Sequence, residues 1–145
     1  MRYLTMVLIA WCMPAVGGGV SNGNPPPAVD SRAMEIQVVR HQGELYRLTR
    51  FSTESLYPCL RFERLLPGDD WKIDAQRDIC SVQDEQGETV EFIDTSYTGF
   101  RSLRFEDASF RFEIEYISRH SSGERVLSCS LPVGDLESAE LLSCF

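Results

Sequence analysis

The two histidines are the first residues to consider for catalysis, because a hydrolase triad needs a histidine beside a nucleophile and an orienting carboxylate. His41 lies where the sequence predicts the tip of a hairpin, and His120 lies in a polar loop. Neither belongs to a GxSxG motif or to a cysteine–histidine signature. We therefore interpret both histidines as solvated loop residues, and we expect the protein not to be an enzyme.

Neighbouring carboxylates could also carry chemistry, since a glycosidase uses two acids that face each other across a cleft. The pairs in this chain are Asp69-Asp70, Asp84-Glu85 and Glu113 with Glu115. They fall in predicted turns or on the outer face of a predicted strand, where carboxylates serve solubility. Residues 84–88 lack the alternating oxygen ligands of a calcium-binding EF-hand loop. We therefore expect neither a glycosidase site nor a metal or other cofactor.

Five cysteines divide into Cys12, inside an N-terminal apolar run, and an even number in the rest of the chain. The latter are Cys59, Cys80, Cys129 and Cys144. With no CxxC pair and no histidine at zinc-ligand spacing, disulfides in an oxidising compartment are the favoured interpretation. Four cysteines allow three pairings. We favour Cys59–Cys80 and Cys129–Cys144, because these close short loops, each worth about 3 kcal/mol on the chain-entropy model.

Composition and charge limit the class of partner. The 145 residues are enough for one domain with a sizeable core and too few for two ordinary ones. Hydrophobic residues make up 43% and charged residues 25%, which excludes a wholly disordered chain. The net charge of -8 argues against nucleic acid or an anionic membrane as the main partner. All but one of the basic residues are arginines, which suit fixed, bidentate ion pairs.

Residues 1–19 have the features of a secretory signal peptide. Arg2 precedes an apolar run over residues 4–13 that is too short to span a bilayer. Ala15-Val16-Gly17 then offers a small-x-small cleavage pattern. We predict cleavage by the end of this segment and export to the periplasm. No later segment is long and apolar enough to predict a transmembrane helix.

Cys12 offers an alternative, because a bacterial lipoprotein signal ends at a cysteine that carries a lipid anchor. The lipobox places a small residue directly before that cysteine, and here the residue is Trp11. We therefore favour a protein without a lipid anchor. An outer-membrane lipoprotein facing the periplasm is the alternative.

The mature chain divides into a leader and one domain. Residues 20–33 are rich in glycine, asparagine and proline, including Pro25-Pro26-Pro27, and we predict an extended leader without a packing face. Residues 34–145 are rich in β-branched and aromatic residues, with turn signals at the roughly 8–12-residue spacing typical of sandwiches and barrels. The predicted fold is therefore all-β, an antiparallel β-sandwich or barrel-like domain with one short C-terminal helix.

The strand over residues 110–118 is the clearest, because aromatic and aliphatic residues alternate there with charged ones. Further strands are predicted over 34–41, 44–52, 56–66, 71–74, 79–83, 89–94, 100–106 and 126–133. A tight turn near residues 107–108 places Phe105 opposite Phe110 and Arg104 opposite Arg111. We expect Glu106 and Glu113 to neutralise these two arginines. Leu136, Ala139 and Leu142 have helical spacing behind Asp135, which predicts a helix over 135–142.

Four features of the chain together point to a known family. They are the opening MRYLTMVLIAWC, the chain length, the Pro25-Pro26-Pro27 leader and the acidic β-rich body. In these the chain resembles the periplasmic immunity proteins that protect bacteria such as Pseudomonas from muramidases delivered by type VI secretion. The resemblance implies a protein that occludes the glycan groove of the muramidase and prevents self-lysis. It also implies that any calcium belongs to that partner, which is similar to goose-type lysozymes.

An inhibitor of a concave cleft needs a convex projection, and on a β-domain the loops at one end of the sheets provide one. Three polar loops qualify, at residues 69–71, 95–99 and 120–124. The residues that we expect to contact the partner are Asp69, Asp70, Trp71, Tyr97, Ser121, Ser122 and Glu124. The hydroxyl groups of these residues can form the hydrogen bonds that a muramidase normally makes with sugar hydroxyls. Their carboxylates can attract cationic groups along the groove and so raise the association rate. Trp71 and Tyr97 can anchor an interface, and the alternative is that these two side chains point into the core.

Two other classes of function stay open. An envelope ligand-binding or assembly module without a toxin partner would carry an apolar pocket lined by aromatic residues. A periplasmic hydrolase would need a carboxylate pair or a triad inside a cleft.

Overall fold

The structure, a computed structural model, describes residues 29–138 and 140–145. The predicted signal peptide, including Cys12, and the leader up to residue 28 lie outside the described residues. Within them the chain forms ten β-strands and two 3-10 helices, so the predicted all-β class is confirmed. In this part of the chain no helix is long and apolar enough to cross a membrane.

The strands form three sheets, of which two are large. In chain order they are β1 (Ala33–His41), β2 (Glu44–Phe51), β3 (Leu60–Leu66), β4 (Lys72–Ile79), β5 (Ser81–Gln83), β6 (Thr89–Glu91), β7 (Thr95–Glu106), β8 (Ser109–Ser118), β9 (Glu124–Pro132) and β10 (Leu142–Ser143). The sheet orders are β1-β2-β3-β4, β7-β8-β9 and β10-β5-β6. All neighbouring strands are antiparallel except β10 and β5, which are parallel.

The core lies between the two large sheets. In β8 the residues Phe110, Phe112, Ile114 and Tyr116 are buried, as the alternation in the sequence predicts. The ring of Phe110 lies 4.8 Å from that of Phe62 in β3, which joins the four-stranded to the three-stranded sheet. Each buried phenylalanine contributes about 1.5–3 kcal/mol to stability. The predicted pairs Phe105–Phe110 and Arg104–Arg111 are confirmed in the β7–β8 register.

The chain contains two disulfides, and both are the pairings favoured from the sequence. Cys59–Cys80 joins the start of β3 to the residue after β4, and Cys129–Cys144 joins β9 to the C-terminal strand. The closed loops have sequence separations of 21 and 15 residues. Such bonds are typical of proteins that fold in an oxidising compartment.

The C-terminal segment differs from the predicted helix over residues 135–142. A single 3-10 turn, Val133–Asp135, is followed by residues 136–138, which are not helical, and β10 begins at Leu142. Leu136 and Leu142 are buried, as their spacing suggested, but Cys144 is bonded to Cys129 and its N–H donates to the carbonyl of Gln83 at 2.8 Å. These contacts hold the chain end extended, which is incompatible with a helix. Ala139 lies outside the described residues.

Candidate partner-binding site

The turns between strands gather at two opposite ends of the sandwich. We call one the hairpin end; it carries the β1–β2 turn at 42–43, the β3–β4 turn at 67–71 and the β7–β8 turn at 107–108. The two large sheets contact each other there: Gln42 Nε2 donates to the Asp107 carbonyl at 3.0 Å, and His41 Nε2 lies 2.6 Å from the same oxygen. Both sheets therefore present their tight turns at this end.

We call the opposite end the groove end. It carries the β5–β6 turn at 84–88, the 3-10 helix Phe92–Asp94, the start of β7 and the β8–β9 turn at 119–123. The N–H of Arg119 donates to the Asp94 carbonyl at 3.4 Å, which connects the β8–β9 turn to the short helix. Strand β8 has ten residues, so the two ends are about 30 Å apart at roughly 3.4 Å per residue.

The predicted contact residues divide between these ends. Asp69, Asp70 and Trp71 lie at the hairpin end, whereas Tyr97, Ser121, Ser122 and Glu124 lie at the groove end. From the sequence we expected the three loops to share one end of the sandwich. The structure instead divides them between the two ends. The reason is topological, since the β3–β4 and β8–β9 turns close opposite ends of antiparallel strands. Contact of these residues with a partner stays a prediction.

Trp71 lies at the tip of the β3–β4 hairpin in an unusual backbone conformation. Asp70 and Trp71 have φ of +50° and +61°, and the N–H of Lys72 donates to the Asp69 carbonyl at 3.0 Å. Two successive positive φ values are typical of type I′ turns, which favour Asn-Gly. A left-handed residue with a Cβ costs about 1–2 kcal/mol. The Trp71 side chain is 58% exposed, which excludes a position in the core.

Ion pairs hold the two strands of this hairpin together. Arg61 in β3 donates to both carboxylate oxygens of Asp78 in β4, at 2.7 and 3.0 Å, and Arg64 pairs with Asp74 at 2.5 Å. Burial would raise the pKa of Asp78, but hydrogen bonds from Arg61 and Tyr57 hold it below its ordinary value. These ion pairs join the two strands of the hairpin that carries Trp71, and the bidentate arginine pairing expected from the composition is confirmed here.

Tyr97 lies on a strand, although we expected residues 95–99 to form a loop. These residues begin β7, and a bulge between Thr95 and Tyr97 turns the tyrosine outwards, leaving it 44% exposed. A Cβ on Gly99 would lie 2.6 Å from Tyr97 Oη, so the phenol occupies the space above the glycine. The buried hydroxyls of Thr95 and Thr98, 2.6 Å apart, fix the start of this strand.

Charged side chains on β7 and β8 contact the first residue of β9. Arg101 lies 2.8 Å from Glu115 and 3.6 Å from Glu124. A hydrogen bond with the Glu124 carboxylate raises the pKa of Glu115 above its ordinary value. Glu124 is thus engaged within the chain, whereas Ser121 and Ser122 are exposed in the turn.

An open groove of about 450 Å³ separates the β5–β6 turn from the β8–β9 turn. Its charged lining residues are mainly acidic: Asp84, Glu88, Glu91, Asp94 and Arg125. The Asp84 carboxylate accepts hydrogen bonds from the N–H groups of Gln86 and Glu88, both at 2.9 Å. Asp84 therefore shapes the turn, and the groove end is concave and held by hydrogen bonds.

Two expectations about the remaining charged residues need correction. His41 is not solvated, because it is half-buried and its ring stacks on Phe105 at 4.6 Å. Glu106 lies close to both Arg104 and Arg111, as expected, at 3.9 and 3.2 Å. Glu113 instead accepts a hydrogen bond from Ser102 Oγ at 3.0 Å, because a bulge between Arg101 and Arg104 shifts the register.

Neither comparison with known proteins nor a search for metal-binding groups of side chains identifies a further candidate site in the described residues. No family model matches the chain, and neither a curated protein nor a solved structure matches it significantly. Across residues 29–138 and 140–145, no three or more His, Cys, Asp or Glu side chains are grouped to hold a metal ion. Function must therefore be inferred from the geometry of the two ends.

Proposed function

We propose that this protein is an envelope immunity protein that binds a secreted muramidase and occludes its glycan groove with the β3–β4 hairpin. The observation that carries the proposal is Trp71, a large aromatic side chain exposed in a left-handed backbone at a hairpin tip. A glycine would fit this backbone without strain. Strained backbone and exposed aromatic residues are both characteristic of contact sites.

The shape of the hairpin suits a concave partner. A muramidase binds a glycan in an extended cleft with polar walls and a catalytic acid. The hairpin ends in a projecting turn, and the ion pairs between its strands would reduce the conformational entropy that is lost on binding. The Trp71 ring can take the place of a sugar ring in such a cleft, while Asp69 and Asp70 attract cationic groups along its walls.

The groove end is too distant to enter the same narrow cleft. Strand β8 alone extends about 30 Å between the two ends, and Trp71 lies at the hairpin end. We therefore assign the main contact to Asp69, Asp70 and Trp71. The other predicted contact residues either bind a different part of the partner or do not contact it. They are Tyr97, Ser121, Ser122 and Glu124.

The two disulfides support an oxidising compartment, and we propose the periplasm, where a muramidase would reach peptidoglycan. In this proposal the protein is an inhibitor without catalytic activity or cofactor of its own. Any calcium belongs to the muramidase. A lipid anchor at Cys12 would place the same domain on the periplasmic side of the outer membrane.

The alternative is an envelope ligand-binding or assembly module without a toxin partner. The groove between the β5–β6 and β8–β9 turns is the feature that favours it. The charged residues of its lining are mainly acidic, so the groove suits a small cationic ligand.

The test uses the purified disulfide-bonded protein together with any lysozyme-like secreted protein that proves to be encoded beside its gene. We expect a stable complex on size-exclusion chromatography, and we expect the protein to prevent clearing of peptidoglycan in a zymogram. Clearing by this protein alone would contradict the inhibitor proposal. A muramidase that retains full activity at equimolar inhibitor would contradict it as well.

A further inference from the structure

Strand β1 is a free edge of the four-stranded sheet, since it pairs only with β2 among the described strands. Its nine residues include neither proline nor lysine, which commonly protect edge strands from pairing with another chain. Its charged side chains are engaged within the chain: Glu35 lies 2.7 Å from Arg50, and Arg40 donates to the Gly43 carbonyl at 3.2 Å. The edge therefore lacks proline and lysine, and the bulge in its pairing with β2 lies at the start of the strand, between Ala33 and Glu35.

An apolar stripe runs along the outer face of the same strand. Met34, Ile36 and Val38 alternate with less exposed residues and are 68%, 41% and 55% exposed. Single exposed apolar residues are ordinary, but three at successive outward positions of an edge strand form a contiguous surface. The stripe is symmetric about Ile36, with one apolar residue two positions away on each side.

We infer that β1 pairs antiparallel with β1 of a second copy of this chain, about a twofold axis at Ile36. Directly opposite residues then have indices that sum to 72, so Ile36 faces its counterpart and Met34 faces Val38 of the second copy. Opposite Cβ atoms in such a pair lie about 4.5–5.5 Å apart. Six apolar side chains form one ladder, and the two four-stranded sheets become continuous.

Charge and polarity favour this register over its neighbours. On the opposite face Glu35 meets Gln37, whose amide can donate to the carboxylate. Shifting the axis to Gln37 places Met34 against Arg40, and shifting it to Val38 places Ile36 against Arg40. Both shifts put a guanidinium on the apolar ladder. In the favoured register Arg40 lies beyond the paired residues, next to the turn in which Arg32 is paired with Asp30 at 2.5 Å.

The interface should be weak and independent of the muramidase contact. One strand pair with six apolar side chains buries less than the roughly 1,200–2,000 Å² of standard stable interfaces. The β3–β4 hairpin lies beyond β2 from this edge, so pairing leaves Trp71 uncovered. Failure of one proposal therefore leaves the other standing.

Sedimentation velocity of the full disulfide-bonded chain, from about 5 to about 500 μM, tests the pairing. We expect a shift from monomer to dimer. Met34→Glu and Val38→Arg should each weaken association at least tenfold when measured alone. An equimolar mixture of the two variants should restore it, because the introduced carboxylate at position 34 faces the introduced guanidinium at position 38. Val126→Glu, an equally exposed apolar position on β9, should leave the dimer intact.

Three results would overturn the inference. One is a monomer at every concentration, as expected if a segment of this chain or another protein covers β1. The second is a dimer that tolerates both substitutions at β1. The third is a mixture that fails to associate while each variant keeps the parent's melting temperature.

Discussion

The two ends of this sandwich are built from the same antiparallel strands but hold their turns in different ways. At the groove end, side-chain hydrogen bonds stabilise the turns. The Asp84 carboxylate accepts from backbone N–H groups of its own turn, and the hydroxyl of Thr95 is hydrogen-bonded to that of Thr98. At the hairpin end, Asp70 and Trp71 adopt positive φ values, and the tryptophan is exposed. One end is locally satisfied and concave, whereas the other is strained and convex. The groove end therefore has turns stabilised by side-chain hydrogen bonds, whereas the hairpin end has non-glycine residues in a backbone conformation that costs free energy of folding.

We expect the largest change in stability without a change in affinity from removing the Cys59–Cys80 disulfide. Cys80 directly precedes β5, which continues into the β5–β6 turn beside the groove. Replacing both cysteines by serine should lower the free energy of unfolding by about 3 kcal/mol on the chain-entropy model. Affinity of the folded protein for the muramidase should stay unchanged, because the hairpin tip lies at the other end of β3 and β4. Urea denaturation and calorimetric titration measure the two quantities, with the Cys129→Ser, Cys144→Ser pair as the matched control. A parallel loss of affinity in the folded fraction would show that the ends are not independent.

We expect a smaller loss of stability from substitution of Asp84, whose carboxylate accepts two backbone hydrogen bonds in the β5–β6 turn. Asp84→Ala leaves those N–H groups without their acceptor and should lower the free energy of unfolding by about 1–3 kcal/mol. The matched control is Glu85→Ala, at an exposed neighbouring position, for which we expect a change within about 0.5 kcal/mol. Equal melting temperatures for the two variants would contradict the description of the groove end as held by its hydrogen bonds.

The smallest effect is expected from Gly99, which leaves room for the Tyr97 ring. Gly99→Ala should move the phenol by crowding its flexible end, with a stability change within about 0.5 kcal/mol. Tyrosine fluorescence and the aromatic NMR signals of Tyr97 should change, and affinity for the muramidase should not. A loss of affinity as large as that caused by a change at Trp71 would move the main contact to the groove end.

The sequence predicts the framework well because its signals there are local. The alternation over residues 110–118 and the short-loop disulfides depend on neighbours in the chain, and both are confirmed. The helix expected over 135–142 fails because Cys144 is fixed by Cys129, a contact that outweighs helical spacing. His41 was expected to be solvated, yet it stacks on Phe105 across the sandwich.

Only part of the candidate site could be predicted from the sequence. Pro67-Gly68-Asp69-Asp70 predicts a turn, but the positive φ of Trp71 depends on how β3 and β4 pair, with a register shift between Arg64 and Leu65. The division of the contact loops between two ends depends on sheet order, which no local pattern encodes. Gly99 is the signal that could have been noticed, since a glycine within a strand often marks a site covered by a neighbouring aromatic residue.

The most direct measurement of the central claim is the Trp71→Gly variant, with stability and muramidase affinity determined on the same sample. Glycine removes the left-handed strain, so the free energy of unfolding should stay equal or rise by up to about 1 kcal/mol. Affinity should fall by at least about 2 kcal/mol, or roughly 30-fold, because the aromatic anchor is lost. Tyr97→Ala at the groove end is the matched control and should lose much less affinity. Binding by Trp71→Gly at the parent's affinity would contradict the account.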